Sequence, residues 1–172
     1  MSKNVLVVID MQNDFIDGAL GTKEAEAIIE NVYQVIQSFE GEVVFTRDTH
    51  FENYADTQEG KKLPIPHCIK GTNGWQINSK LKKLIKPETK IFDKITFGST
   101  ELTEYLKNNK ELEKVTLAGL CTDICIISNA LLIKANLPEV EIEVLENCCA
   151  GVTPESHINA LNAMKMCQIS VK

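Results

Sequence analysis

Asp10, the pair Asp48 and His50, Lys94 and Cys125 each stand at, or just past, the C-terminal end of an apolar, β-rich run. Cys125 follows the run Val115-Thr116-Leu117-Ala118, which breaks at Gly119 and then continues without Pro or Gly through Leu132. That pattern reads as strand, tight turn, helix. It puts the thiol in the first turn of a helix, where unpaired backbone N–H groups and the positive end of the dipole favour a thiolate. A cysteine that attacks an acyl carbon also needs a base, a cation and donors for the developing oxyanion. Asp10 is the candidate base. Lys94 is the cation that would keep Asp10 ionised and lower the thiol pKa. Backbone N–H groups in the turn from Cys121 to Cys125 are the candidate oxyanion donors. Taken singly, each residue has a plainer reading: Cys125 as a small buried apolar side chain, Asp10 as a turn cap, Lys94 as a surface lysine. Their shared position at strand ends is what joins them.

Asp48, His50 and His67 form a second constellation. One carboxylate oxygen and two imidazole nitrogens suit Zn²⁺, and equally Fe²⁺ or Mn²⁺, with positions left for water or substrate. Glu59, in the same polar stretch, is a candidate fourth ligand, although a solvated carboxylate is the plainer reading. Phe15, Trp75 and Phe97 could stack on a flat ring. The alternatives are core aromatics for Phe15 and Phe97 and a loop anchor for Trp75.

The elements that must carry these residues alternate along the chain. Asn4-Val5-Leu6-Val7-Val8-Ile9 is an unbroken apolar run, as in a central strand covered on both faces. Ala25, Ile28, Ile29, Val32, Val35, Ile36 and Phe39 recur at helical spacing. Residues 42–47 form the next strand, and residues 51–75 a long polar loop, a length that usually signals function. A helix over 76–85, a strand over 90–95 and a helix capped by Ser99 or Thr100 follow. After the strand and helix around Cys125 come a strand over 141–145, alternating and so read near a sheet edge, and a helix opened by Thr153 and Pro154. A short edge strand is expected over 168–171. The expected fold is α/β in three layers, α/β/α, with an open, mainly parallel sheet of five or six strands, in one domain covering residues 1–172. Ligands bind such sheets beyond the carboxyl ends of the strands, which is where the polar residues collect.

The 172 residues carry a formal charge of −6, which argues against nucleic-acid binding. No run reaches the length of a membrane span, and residues 1–4 lead straight into a strand, so a soluble, cytoplasmic protein is expected. The six cysteines are expected as free thiols, and none of their spacings is Cys-x-x-Cys. The expected partner is a small molecule; assembly into a homo-oligomer is left open.

Five ordered segments carry a family resemblance: Val7-Val8-Ile9-Asp10-Met11-Gln12-Asn13-Asp14-Phe15, Thr46-Arg47-Asp48-Thr49-His50, Pro66-His67-Cys68-Ile69-Lys70-Gly71-Thr72, Lys94-Ile95-Thr96-Phe97-Gly98-Ser99 and Gly119-Leu120-Cys121-Thr122-Asp123-Ile124-Cys125. In order and spacing they resemble the isochorismatase-like cysteine hydrolases, and within these the nicotinamidase/pyrazinamidase group. The resemblance implies an Asp10–Lys94–Cys125 triad, a thioester intermediate, ammonia release and a cis peptide between Leu120 and Cys121. It also implies a metal on Asp48, His50 and His67 that holds a pyridine nitrogen, so nicotinamide is the expected amide. Cys121, Ile124 and Phe51 depart from the family's usual residues, which leaves another amide, such as an N-carbamoyl compound or ureide, as the alternative. From other classes, a non-catalytic binding protein on the same scaffold and a redox sensor using Cys121 and Cys125 are also alternatives.

Overall fold

Val5 to Ile9 are wholly buried, as an interior strand covered on both faces requires. In the computed structural model, which describes residues 2–172, they belong to β1 (Asn4–Ile9). The chain continues through α1 (Asn13–Ile16), α2 (Lys23–Ala27), α3 (Ile29–Ser38), β2 (Glu42–Asp48), a 3-10 turn (Tyr54–Asp56), α4 (Gln58–Lys62), α5 (Ser79–Lys82), β3 (Ile91–Lys94) and α6 (Thr100–Asn108). Next come β4 (Lys114–Leu120), a π turn (Thr122–Ile126) running into α7 (Ile127–Asn136), β5 (Glu141–Ala150), α8 (Pro154–Met166) and β6 (Ser170–Val171). The strands form one open sheet in the order β3-β2-β1-β4-β5-β6, every pairing parallel.

Side chains alternate across each strand, and so divide the core in two. Val5, Val7 and Ile9 pack with Leu102, Leu106, Ile133 and Met164 of α6, α7 and α8. Leu6 and Val8 pack with Ala25, Val32, Ile36 and Leu81 of α2, α3 and α5. The outcome is the expected three-layer α/β/α arrangement. Among the described residues, no helix is long and apolar enough to cross a membrane.

Several boundaries differ from the sequence expectation. The helix read across residues 25–39 is interrupted at Ile28, whose N–H bonds to the Glu26 carbonyl. The helix over 76–85 shrinks to Ser79–Lys82, capped by Asn78. The loop over 51–75 carries the 3-10 turn and α4, the latter capped by Thr57, whose hydroxyl accepts from the Gly60 N–H at 3.0 Å. The strand expected at 141–145 runs to Ala150; it lies near the sheet edge as expected, with the short β6 pairing outside it. Within it Glu143 is buried and held by Lys114 and Lys172, each at 2.7 Å.

Gly119 is where β4 approaches β1 most closely. Its φ is +124, and a Cβ there would lie 2.0 Å from the Ile9 carbonyl oxygen. Neither the backbone conformation nor the space admits a side chain. Gly119→Ala is expected to lose more than about 2 kcal/mol of stability in urea unfolding; an unchanged midpoint would show that β1 and β4 can separate without cost.

Candidate active site

Four strand ends meet at one point of the carboxyl rim. Asp10 leaves β1 with φ +49, a left-handed conformation that aspartate tolerates better than most residues. Its Oδ1 accepts from the Thr46 hydroxyl at 2.6 Å, and its Oδ2 lies 2.6 Å from Lys94 Nζ. Lys94, the last residue of β3, also reaches Asp48 Oδ1 at 3.4 Å and Cys125 Sγ at 3.5 Å. Cys125 sits in the π turn that follows β4, so the expected place in a first helical turn holds. The Leu120–Cys121 peptide just before it is cis. Asp10, Lys94 and Cys125 are 0 %, 5 % and 4 % exposed, so their charges are set by one another rather than by water.

The thiolate bias expected at Cys125 is not found. Burial pushes the thiol well above its ordinary range, more than the Lys94 charge lowers it, and a hydrogen bond with Asp10 adds to the upward push. An enclosed sulfur loses more hydration than one ammonium, shared with two carboxylates, can return. Burial also raises the Asp10 carboxyl against the pull of Lys94. Lys94 itself stays charged: burial opposes its charge, but Asp10, Cys125 and Asp48 together outweigh burial. The result is a thiol that holds its proton facing a carboxyl group raised above its ordinary range.

Beside this group, Asp48, His50, Glu59 and His67 bring one ligand atom each to within 4.8 Å of one another. His50 Nε2 lies 3.0 Å from Asp48 Oδ2 and 3.5 Å from Glu59 Oε1, while His67 Nε2 lies 3.5 and 3.6 Å from the same two oxygens. Ligands about 2.05 Å from a tetrahedral ion stand about 3.3 Å apart, so the donor set fits a divalent cation. His67 Nδ1 donates to the Ile65 carbonyl at 2.9 Å, which leaves Nε2 bare for a metal. Burial alone would lower the pKa of His50, yet hydrogen bonds to Asp48 and Glu59 push it up to about 9, so the cluster draws positive charge to itself. Glu59, the least certain ligand from sequence, is brought in by α4, the helix inside the supposed loop. His67→Ala is expected to cut bound divalent metal, measured by elemental analysis of the purified protein, from near one equivalent to trace. Retention of the parent's content would remove His67 from the ligand set.

A cavity of about 630 Å³ takes in both groups, lined by Phe15, Leu20, Phe97 and Ile124 as well as by Cys125, Asp48, His50, Glu59 and His67. Phe15 stands 5.4 Å from the His67 ring.

A model of the isochorismatase domain matches residues 4–171. The chain belongs to the isochorismatase family. Among solved structures, this family member is similar to the nicotinamidase/pyrazinamidase PncA of Bacillus subtilis, at 28% identity and a TM-score of 0.85, with 98% of each chain covered. It is similar to the pyrazinamidase of Pyrococcus horikoshii in complex with zinc, at 28% identity and a TM-score of 0.84, over 99% of this chain and 98% of that one. It is also similar to the N-carbamoylsarcosine amidase of Thermoplasma acidophilum, at 26% identity and a TM-score of 0.83, over 99% and 95% of the two chains.

One expected pocket residue of this isochorismatase-family site lies elsewhere. Trp75 is outside the cavity: its indole N–H donates to Thr49 Oγ1 at 2.9 Å and the Arg47 guanidinium covers its ring at 3.7 Å. Those two bonds satisfy the indole as an anchor for the 69–78 segment and turn it away from the substrate side. Cys121 does line the cavity, and burial, with Asp123 and Asp10 nearby, pushes its thiol up to about 12.

Other residues that build the site were not singled out from sequence. Gln12, wholly buried, donates to the Asp48 and Trp75 carbonyls at 2.8 and 2.9 Å and accepts from the Asp48 N–H at 2.7 Å. Asp14 accepts from the Cys68 N–H at 2.7 Å, fixing the residue after His67, where φ is +46. Asn129 donates to the Cys125 and Phe97 carbonyls at 2.8 and 3.0 Å, tying the π turn to the loop after β3. The available signal was local: Gln12 and Asp14 alternate with Asp10 directly after a fully apolar strand, and Asn129 stands one helical turn past Cys125.

Proposed function

We propose that this protein hydrolyses a small amide, nicotinamide first, to its carboxylate and ammonia through a thioester on Cys125. The observation that carries the reading is the position of Lys94 Nζ, within 3.5 Å of Asp10, Asp48 and Cys125 at once, which couples a proton acceptor and a nucleophile to the metal-ligand cluster. Membership of the isochorismatase family, and the C–N hydrolases among its structural neighbours, make the protein a hydrolase of non-peptide C–N bonds.

In this mechanism Asp10 takes the Cys125 proton as sulfur attacks the carbonyl carbon, and Lys94 holds Asp10 in place and balances the charge. The Cys121 and Cys125 amides receive the oxyanion. Asp10 then gives its proton to the departing nitrogen, which leaves as ammonia. Water, relieved of a proton by Asp10, cleaves the thioester and restores the thiol. Asp48, His50, Glu59 and His67 would hold a divalent cation. When bound, that cation supplies a Lewis-acidic position for a substrate ring nitrogen or a water; two imidazoles and two carboxylates suit Zn²⁺, Fe²⁺ or Mn²⁺, and the similarity to a zinc-bound pyrazinamidase supports zinc. Phe15 and Phe97 flank the space a flat ring would occupy.

A second reading, hydrolysis of an N-carbamoyl compound, draws on the similarity to an N-carbamoylsarcosine amidase and on Asn53, Gln58 and Lys62 lining the cavity, where they suit a substrate with a second polar end. Ammonia release by zinc-loaded protein from nicotinamide, pyrazinamide and N-carbamoylsarcosine tests both. Nicotinamide is expected to give kcat/KM of at least ~10⁴ M⁻¹s⁻¹. Release from the carbamoyl compound alone would replace the first reading with the second, and release from none would overturn both.

A further inference from the structure

His157 is a half-buried titratable group that the proposed mechanism does not use. It lies on the first turn of α8, and its Nδ1 is hydrogen-bonded to Thr122 Oγ1 at 2.7 Å. Thr122 is wholly buried and opens the π turn, between Cys121 and Cys125, the two residues whose amides would receive the oxyanion. Burial holds the imidazole below its ordinary pKa despite the nearby Glu146 and Asp123, so the partner of the Thr122 hydroxyl is a neutral ring.

The same face of the turn has a second tie. The Asp123 carboxylate accepts from the Val152 N–H at 3.2 and 3.3 Å, in the connection that leads into α8. Gly151 lets the helix seat here: a Cβ at that position would lie 2.8 Å from the His157 nitrogen and 2.9 Å from its Cα. The thiol side of the turn is fixed by Asn129 and Lys94, and the opposite side is fixed from α8.

We infer that His157 is a positioning residue, which sets the oxyanion turn through Thr122 without touching substrate. The inference rests on the amidase reading. An oxyanion exists only once the carbonyl has been attacked, so a displaced turn weakens the transition state and leaves ground-state binding in the cavity alone.

The test compares His157→Ala, His157→Asn and Thr122→Val. Asparagine presents an amide near the place of Nδ1, so it can restore the bond that alanine removes. His157→Ala and Thr122→Val are each expected to lower kcat about 10- to 100-fold, with KM within about twofold of the parent, and His157→Asn to recover most of the loss. The double variant His157→Ala/Thr122→Val is expected to be no slower than either single one. Hydrogen exchange gives a readout that needs no substrate: the peptide covering residues 119–127 is expected to exchange faster in His157→Ala and at the parent's rate in His157→Asn. Unchanged exchange in His157→Ala overturns the inference whether or not any amide is hydrolysed. With an active parent, so does a loss shared equally by kcat and KM, or one that asparagine does not repair. An inactive parent whose variants show the expected exchange pattern would defeat the amidase reading and leave the His157 tie to the turn standing.

Discussion

Cys125→Ala is expected to hydrolyse the preferred amide at least ~10⁴-fold more slowly in kcat/KM, because alanine removes the thiol that Lys94 contacts at 3.5 Å, the one on which the proposed thioester forms. Cys125 is almost wholly buried, and the change removes one heavy atom from an otherwise intact turn, so the stability cost should be about 1 kcal/mol. Ammonia release and a thermal melt separate the two effects. Acid-quenching the parent during turnover should also show the acyl mass on the peptide that contains Cys125, and the variant should show none. More than a tenth of the parent's activity in Cys125→Ala would remove the thiol from the mechanism. A variant that loses activity only because it has unfolded would be recognised by its melt.

Asp10→Asn should be nearly as inactive, and it should also be far less stable. Asparagine keeps the shape, tolerates the left-handed backbone at this position and can still accept from the Thr46 hydroxyl. What it lacks is the charge that takes the proton and that faces Lys94 at 2.6 Å. A buried ammonium stripped of its nearest carboxylate costs about 3–5 kcal/mol, which urea unfolding would read directly. Adding Lys94→Met to the variant should return much of that stability and none of the activity, since a buried pair can be replaced by apolar side chains but its chemistry cannot. A stable Asp10→Asn would mean that Asp48 alone suffices to hold Lys94. Asp10→Asn combined with Cys125→Ala should be no slower than either change alone, as expected of residues that serve one step.

Strand ends were the most legible feature of the sequence, because a strand buried on both faces must be apolar throughout, and a polar residue marks where it stops. Asp10, Asp48 and Lys94 were found in that way, as was the fold, through the alternation of strands with helical spacing. What the sequence could not convey was the balance of charge after folding. A thiol at a helix start reads as acidified until the structure shows how little water reaches it, and Cys125 is 4 % exposed. Trp75 misled for a related reason: an aromatic next to glycines in a polar loop has no periodicity to show which side it faces. The burial of Glu143 was hidden for a similar reason, since the lysines that make it possible come from residues 114 and 172, far from it in the chain. Gln12 and Asn129 left only the trace of their spacing from Asp10 and Cys125, because their work is done through backbone groups of other segments.

The order β3-β2-β1-β4 has a consequence for how the protein comes into being. Lys94, Asp48, Asp10 and the Cys125 turn stand side by side at the rim, yet in the order of synthesis Asp10 is made first and Cys125 last. β1 has to accept one neighbour on each side, and the second of these, β4, is still unmade when β2 and β3 have left the ribosome. On the proposed mechanism, a nascent or clipped chain that lacks β4 holds its charges without its thiol and has nothing with which to attack an amide. On that mechanism competence waits on the docking of β4 against β1, where Ile9 pairs with Gly119, and then on the seating of α8 against the turn that follows.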